Sequence, residues 1–149
     1  MTIMEDLSDH VIMRKGLIEG GVYPKFAEHI SEFIARTLFF TSDLGMNQQE
    51  KKRLVERFVN PDLCKITEDL IFEDPYYDSS NNNIEAHLRD AAEAIWADEE
   101  LKLEVAFLRE KFLTSAQALL HGDLHTGSIF ITPESTKVID PEFAYYGPI

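Results

Sequence analysis

The chain has 149 residues, about one domain's worth, and its 44% hydrophobic and 28% charged content excludes collagen-like and wholly disordered classes. With 14 Lys and Arg against 27 Asp and Glu, the formal net charge is −13, which argues against partners that are nucleic-acid phosphates or anionic lipid surfaces. Cys64 is the single cysteine, so a disulfide framework and a cysteine-based zinc site are excluded and a reducing, cytoplasmic setting is expected.

No apolar run approaches the roughly 18 residues that span a bilayer, and Met1–His10 has no apolar core of a signal peptide. Met1-Thr2-Ile3-Met4 alternates as a strand does. At the other end, Tyr145–Ile149 is aromatic and turn-rich, with no helix or strand to follow. Both ends read as cut, so the chain is expected to be an internal piece of a longer protein.

From Pro24, a good first-turn residue, apolar positions at Phe26, Ile30, Phe33, Ile34, Thr37 and Leu38 predict an amphipathic helix to about Phe40. Thr41-Ser42-Asp43 can cap the next element. Gln48–Phe58 gathers Leu54, Val55 and Phe58 on one side of a second helix. Asn60-Pro61 breaks it, and Pro61 starts a third through Leu63, Ile66, Leu70 and Ile71. Asp74–Asn83 reads as a loop, after which Asn83 is expected to cap a helix carrying Leu88, Ala91, Ala92 and Ile95. Beyond Asp98, the spacing of Leu101, Leu103, Val105, Leu108, Phe112 and Leu113 predicts a long core-facing helix to about Leu119.

The pattern then changes. His121-Gly-Asp-Leu-His-Thr-Gly-Ser128 precedes a short apolar strand, Ile129–Ile131. Pro133-Glu-Ser135 turns the chain, Lys137–Ile139 returns, and Asp140-Pro-Glu142 follows at once. Antiparallel pairing brings Asp123, Asp140 and Glu142 to one end of the hairpin. Three converging acids repel one another, and a divalent cation is the simplest relief. Mg²⁺ commonly binds through one or two carboxylates plus substrate phosphates, which leaves one acid free to orient or deprotonate a hydroxyl. In phosphoryl transfer a catalytic Asp is followed five positions on by a metal-binding polar residue and, one strand later, by a second metal-binding Asp. Asp123, Ser128 and Asp140 have that spacing, and Gly122 and Gly127 let the backbone turn around the carboxylate.

The string His121-Gly-Asp-Leu-His125 resembles the catalytic loop of the aminoglycoside phosphotransferase and choline kinase superfamily. His121–Ser128, with Asp140-Pro-Glu-Phe-Ala144 and Tyr146-Gly-Pro148, is similar in particular to the 5-methylthioribose kinase family. So are Met4-Glu-Asp-Leu7 and Ile12–Glu19. Ser128 in place of Asn and Pro141 in place of an aromatic both match that branch. The resemblance implies an α+β, partial protein-kinase-like fold: a mostly helical C-terminal lobe with a small catalytic β-hairpin and no N-terminal lobe. Residues 1–9 would be a hinge-like strand and linker, and residues 10–149 the incomplete lobe.

The same resemblance implies ATP as co-substrate, phosphorylation of 5-methylthioribose at its anomeric hydroxyl, and a place in methionine salvage. Asp123 would be the catalytic aspartate facing that hydroxyl, while Asp140 and Glu142 would hold Mg²⁺ on the ATP phosphates beside Pro141. Met4, Glu5 and Leu7 would lie along the adenine edge, and Ser128 would reach the metal or brace the loop. A homodimer of the full-length parent is the family's expectation. The glycine-rich loop and phosphate-binding lysine of such kinases are not in this sequence, so the segment alone is expected to be nearly inactive.

Other readings remain. The parent could phosphorylate another sugar, an aminoglycoside or a choline-like alcohol, or the chain could be a non-catalytic acidic helical module. His121, Asp123 and His125 also form an H-x-D-x-H string of zinc-ligand type. His121 is expected to bond backbone near the aspartate. Trp96 and Cys64 are expected in the core or on helix faces, and Asp98-Glu99-Glu100 as a solvated helix start.

Overall fold

A computed structural model describes residues 5–149; the strand expected over Met1–Met4 lies outside the described residues. Six α-helices and two small sheets are described, an α+β architecture dominated by helix. β1 (Val11–Ile12) leads directly into α1 (Met13–Ile18). α2 (Phe26–Thr41) and α3 (Gln48–Arg57) lie where the periodicity predicts. α3 is capped by Asn47, whose Oδ1 accepts from the Gln49 amide at 2.9 Å, rather than by the Thr41-Ser42-Asp43 run.

α4 (Pro61–Glu68) begins on proline, as expected, and runs into a π-turn at Asp69–Glu73 and a 3₁₀ turn at Asp74–Tyr76. Asn83 caps nothing: a 3₁₀ turn at Ala86–Leu88 precedes α5 (Arg89–Ala97). Asp98 caps α6 (Glu99–Thr114), its Oδ1 accepting from the Leu101 amide at 2.9 Å.

α6 differs from its expectation in two ways. It ends at Thr114, because Ala118–Leu120 is a strand, β2, and only Val105 and Phe112 are buried. Leu103, Leu108 and Leu113 are exposed. Phe112 stacks between Phe72 of the π-turn and Tyr145, with ring centroids 5.2 and 5.1 Å away. Arg109 fastens α6 to the preceding helices through ion pairs with buried Glu68 and with Glu73.

β3 (Ile129–Ile131) and β4 (Thr136–Val138) form the expected hairpin, and β1 adds to its other edge in the order β1-β3-β4. Met13, Ile129 and Ile131 make its core, with Tyr23, Phe26, Ile30 and Leu124 packed around them. The terminal segment does contain a strand. β5 (Tyr145–Gly147) pairs antiparallel with β2, Leu119 opposite Tyr146. Local periodicity cannot reveal that pairing, since the two strands lie some 25 residues apart in sequence. Among the described residues no helix is long and apolar enough to cross a membrane.

Candidate active site on the hairpin

β2 carries the chain into the loop 121–128, and two backbone registrations set that loop against the end of β4. The Ile139 amide donates to the Ser128 carbonyl at 3.0 Å, one step beyond the Ile129–Val138 pair of the ladder. His121 Nε2 lies 2.8 Å from the Ile139 carbonyl, while its Nδ1 faces the Asp123 amide at 3.4 Å. The amide must donate and the carbonyl must accept, so the proton sits on Nε2 and both ring nitrogens are engaged. The H-x-D-x-H string therefore has no free His121 nitrogen for a metal, and His121 bonds backbone near the aspartate as expected.

Gly122 is required by this geometry. Its φ is +84°, and a Cβ there would collide with the Phe143 carbonyl oxygen. The loop is thus pressed against the turn that follows Asp140. Ser128 is 4% exposed, and its hydroxyl is spent inside the loop: it lies 3.0 Å from the Asp123 carbonyl and 2.9 Å from the His125 carbonyl, and accepts from the His125 amide at 3.0 Å. These bonds tie the loop together around Ser128.

Asp123 is exposed, with Oδ2 3.3 Å from His125 Nε2. Asp140 stands in the left-handed region at φ 64°, opening a 3₁₀ turn over Pro141–Phe143 that closes from the Ala144 amide to the Pro141 carbonyl at 3.0 Å. Asp140, Pro141 and Glu142 are all exposed. The backbone brings Asp123 and Asp140 to the same end of the hairpin, but not into a three-carboxylate cluster. Among the described residues no three His, Cys, Asp or Glu side chains could together hold a metal ion. Asp140 leaves the strand through the left-handed region, and Glu142 stands in the turn behind it. The donor set still suits Mg²⁺, which takes one or two carboxylates and completes its shell with water and phosphate oxygens.

The segment expected to meet adenine is laid against the same hairpin. Glu5 pairs with Lys137 Nζ at 2.9 and 3.1 Å, and the Leu7 carbonyl accepts from the His10 amide at 2.9 Å. His10 Nε2 lies 3.2 Å from Ser135 Oγ. Met4 lies outside the described residues. Asn60, which reads in the sequence only as a helix breaker, bonds the Glu142 and Ala144 carbonyls at 2.7 and 3.2 Å. Its one sequence signal is that asparagine tolerates the left-handed backbone found there, φ 46°.

The sequence pattern of the phosphotransferase enzyme family (APH) matches residues 48–149, which include the loop and the acidic turn. The chain belongs to the phosphotransferase enzyme family. This phosphotransferase-family chain is 64% identical over 149 residues to a protein named methylthioribose kinase from Geobacillus kaustophilus (strain HTA426), covering 100% of the chain and 38% of that protein. It is 64% identical over 148 residues to the protein of the same name from Geobacillus sp. (strain WCH70), covering 99% of the chain and 37% of the relative. Against that of Bacillus pumilus (strain SAFR-032) it is 57% identical over 148 residues, with the same 99% and 37% coverage. The chain spans little more than a third of the length of these curated relatives. Its helix-rich α+β build is that of a partial kinase-like fold.

Proposed function

We propose that the whole protein is an ATP-dependent methylthioribose kinase of methionine salvage, transferring the γ-phosphoryl group of ATP to the anomeric hydroxyl of 5-methylthioribose. Residues 1–9 act as hinge and linker, with Glu5 and Leu7 beside the adenine, and residues 10–149 as part of the lobe that carries the chemistry. Asp123 takes the hydroxyl proton as the oxygen attacks phosphorus, and ADP departs. Asp140 and Glu142 would hold Mg²⁺, and the cation would neutralise charge that builds on the transferring group. Ser128 holds the Asp123 carbonyl, and with it the loop.

One observation carries this reading. The Ser128–Ile139 backbone bond and the His121 bridge fix the Asp123 loop beside Asp140, while Asp123 keeps its side chain in solvent, where a hydroxyl substrate can reach it. The methylthioribose kinase names of relatives up to 64% identical support the choice of sugar. In the whole protein, Asp123→Asn should lower turnover about 10²–10⁴-fold, the usual worth of a positioned general base, with ATP binding largely kept. ADP release with methylthioribose, other sugars, aminoglycosides and choline checks both parts. An Asp123→Asn enzyme of near-normal rate, or turnover confined to another alcohol, would refute the corresponding assignment.

A further inference from the structure

We propose that Asn60, far from the loop in sequence, is a positioning residue for the acidic turn at Asp140–Glu142; the proposal rests on reading that turn as the magnesium–nucleotide site. Pro61 opens α4 and disfavours the right-handed helical region for the residue before it. Asn60 stands instead in the left-handed region, φ 46° and ψ 58°, which asparagine tolerates, and its side-chain amide meets the turn. Nδ2 has two hydrogens, and it meets the Glu142 carbonyl at 2.7 Å and the Ala144 carbonyl at 3.2 Å. Both partners are pure acceptors, so the nitrogen end of the amide must face them.

The chain is fastened on either side of the turn, by the bonds of Ile139 and by the β5 pairing of Tyr145, but the turn itself has few bonds of its own. Pro141 offers no N–H, Asp140 makes no side-chain cap, and the Ala144–Pro141 bond is the turn's internal closure. Asp140, Pro141 and Glu142 face solvent. Between the two carbonyls that Asn60 grips lies Phe143, whose own carbonyl abuts Gly122 in the catalytic loop. Asn60 therefore seats the acidic turn on the loop that carries Asp123, and fixes where Glu142 and Asp140 stand relative to it. Its Nδ2 is taken up by the backbone of the turn, so it acts through Asp140 and Glu142. The corner itself has separate fastenings, since the Tyr146 amide donates to the Phe58 carbonyl at 3.4 Å and Pro61 starts its helix without the amide.

Two variants of the whole protein test this. Asn60→Gly keeps the left-handed backbone without steric cost and removes both donors, whereas Asn60→Asp keeps the size and sets a carboxylate against two carbonyls. Calorimetry of ADP binding with and without Mg²⁺ is the readout, beside kcat and KM. Affinity for ADP with Mg²⁺ should fall on the order of tenfold in Asn60→Gly, as for other supports of metal ligands, and further in Asn60→Asp. Metal-free ADP affinity and KM for methylthioribose should hold. Wild-type affinity for magnesium–ADP in both variants overturns the positioning role, and so does an equal loss with and without the metal. A wild-type protein that binds ADP with no magnesium dependence would sink the reading of the turn itself, and the role of Asn60 with it.

Discussion

Gly122 carries two constraints at one position, and either alone would explain the residue. A side chain at φ +84° costs an L-residue about 1–2 kcal/mol, and a Cβ here also meets the Phe143 carbonyl, which is backbone and cannot rotate aside. Gly122→Ala should therefore lower unfolding free energy by at least about 1–2 kcal/mol and push the acidic turn off the loop, so that turnover falls more than stability alone requires. Denaturant titration together with ADP release checks it; an alanine variant as stable and active as wild type would contradict the contact. At this scale the sequence was informative where chemistry is local. The glycines, His121 and the acids flank apolar strands and announce themselves. Asn60 did not, because its partners lie more than 80 residues on, and only the fold brings them together.

Among the elements, helices governed by their own faces were legible. α2, α3 and the proline start of α4 follow from spacing and capping. One difference has a cause outside any local window. The spacing extends α6 to about Leu119, but Ala118–Leu120 is drawn into β2 by β5, a partner no local window contains. Phe72 of the π-turn after α4 meets Phe112, which in turn meets Tyr145. Burial in that stack pushes the Tyr145 phenol up to about 12 from 10.0, with Cys64 adding a smaller push in the same direction. Above pH 10 the unfolded chain gives up this proton while the folded chain retains it, so stability present below pH 10 is lost as pH rises toward 12. Tyr145→Phe keeps the ring and removes the titration. Thermal unfolding between pH 8 and 12 should fall less steeply in the variant than in wild type; parallel curves would show that burial of this phenol is not felt.

For the whole molecule, area and charge bear on function. A folded monomer of 17.1 kDa exposes roughly 7,800 Å² by the usual scaling, whereas this chain exposes 10539 Å². Part of that surface is apolar: Leu103, Phe107, Leu108 and Leu113 on α6 all stand more than half exposed. The apolar residues of α6 are plain in the sequence, but they do not share the one core-facing side that their spacing predicts: Val105 and Phe112 are buried while the others here face solvent. A net charge of −13 is equally plain in the sequence, and it makes a triphosphate an unfavourable neighbour unless a cation stands between. The most direct measurement is calorimetric binding of ATP and ADP to the whole protein and its Asp140→Ala variant, with and without Mg²⁺. If the acidic turn holds the cation, the variant loses most of the magnesium-dependent ATP affinity and keeps its metal-free ADP affinity. Equal losses in both, or none in either, would contradict a metal site at the end of this hairpin.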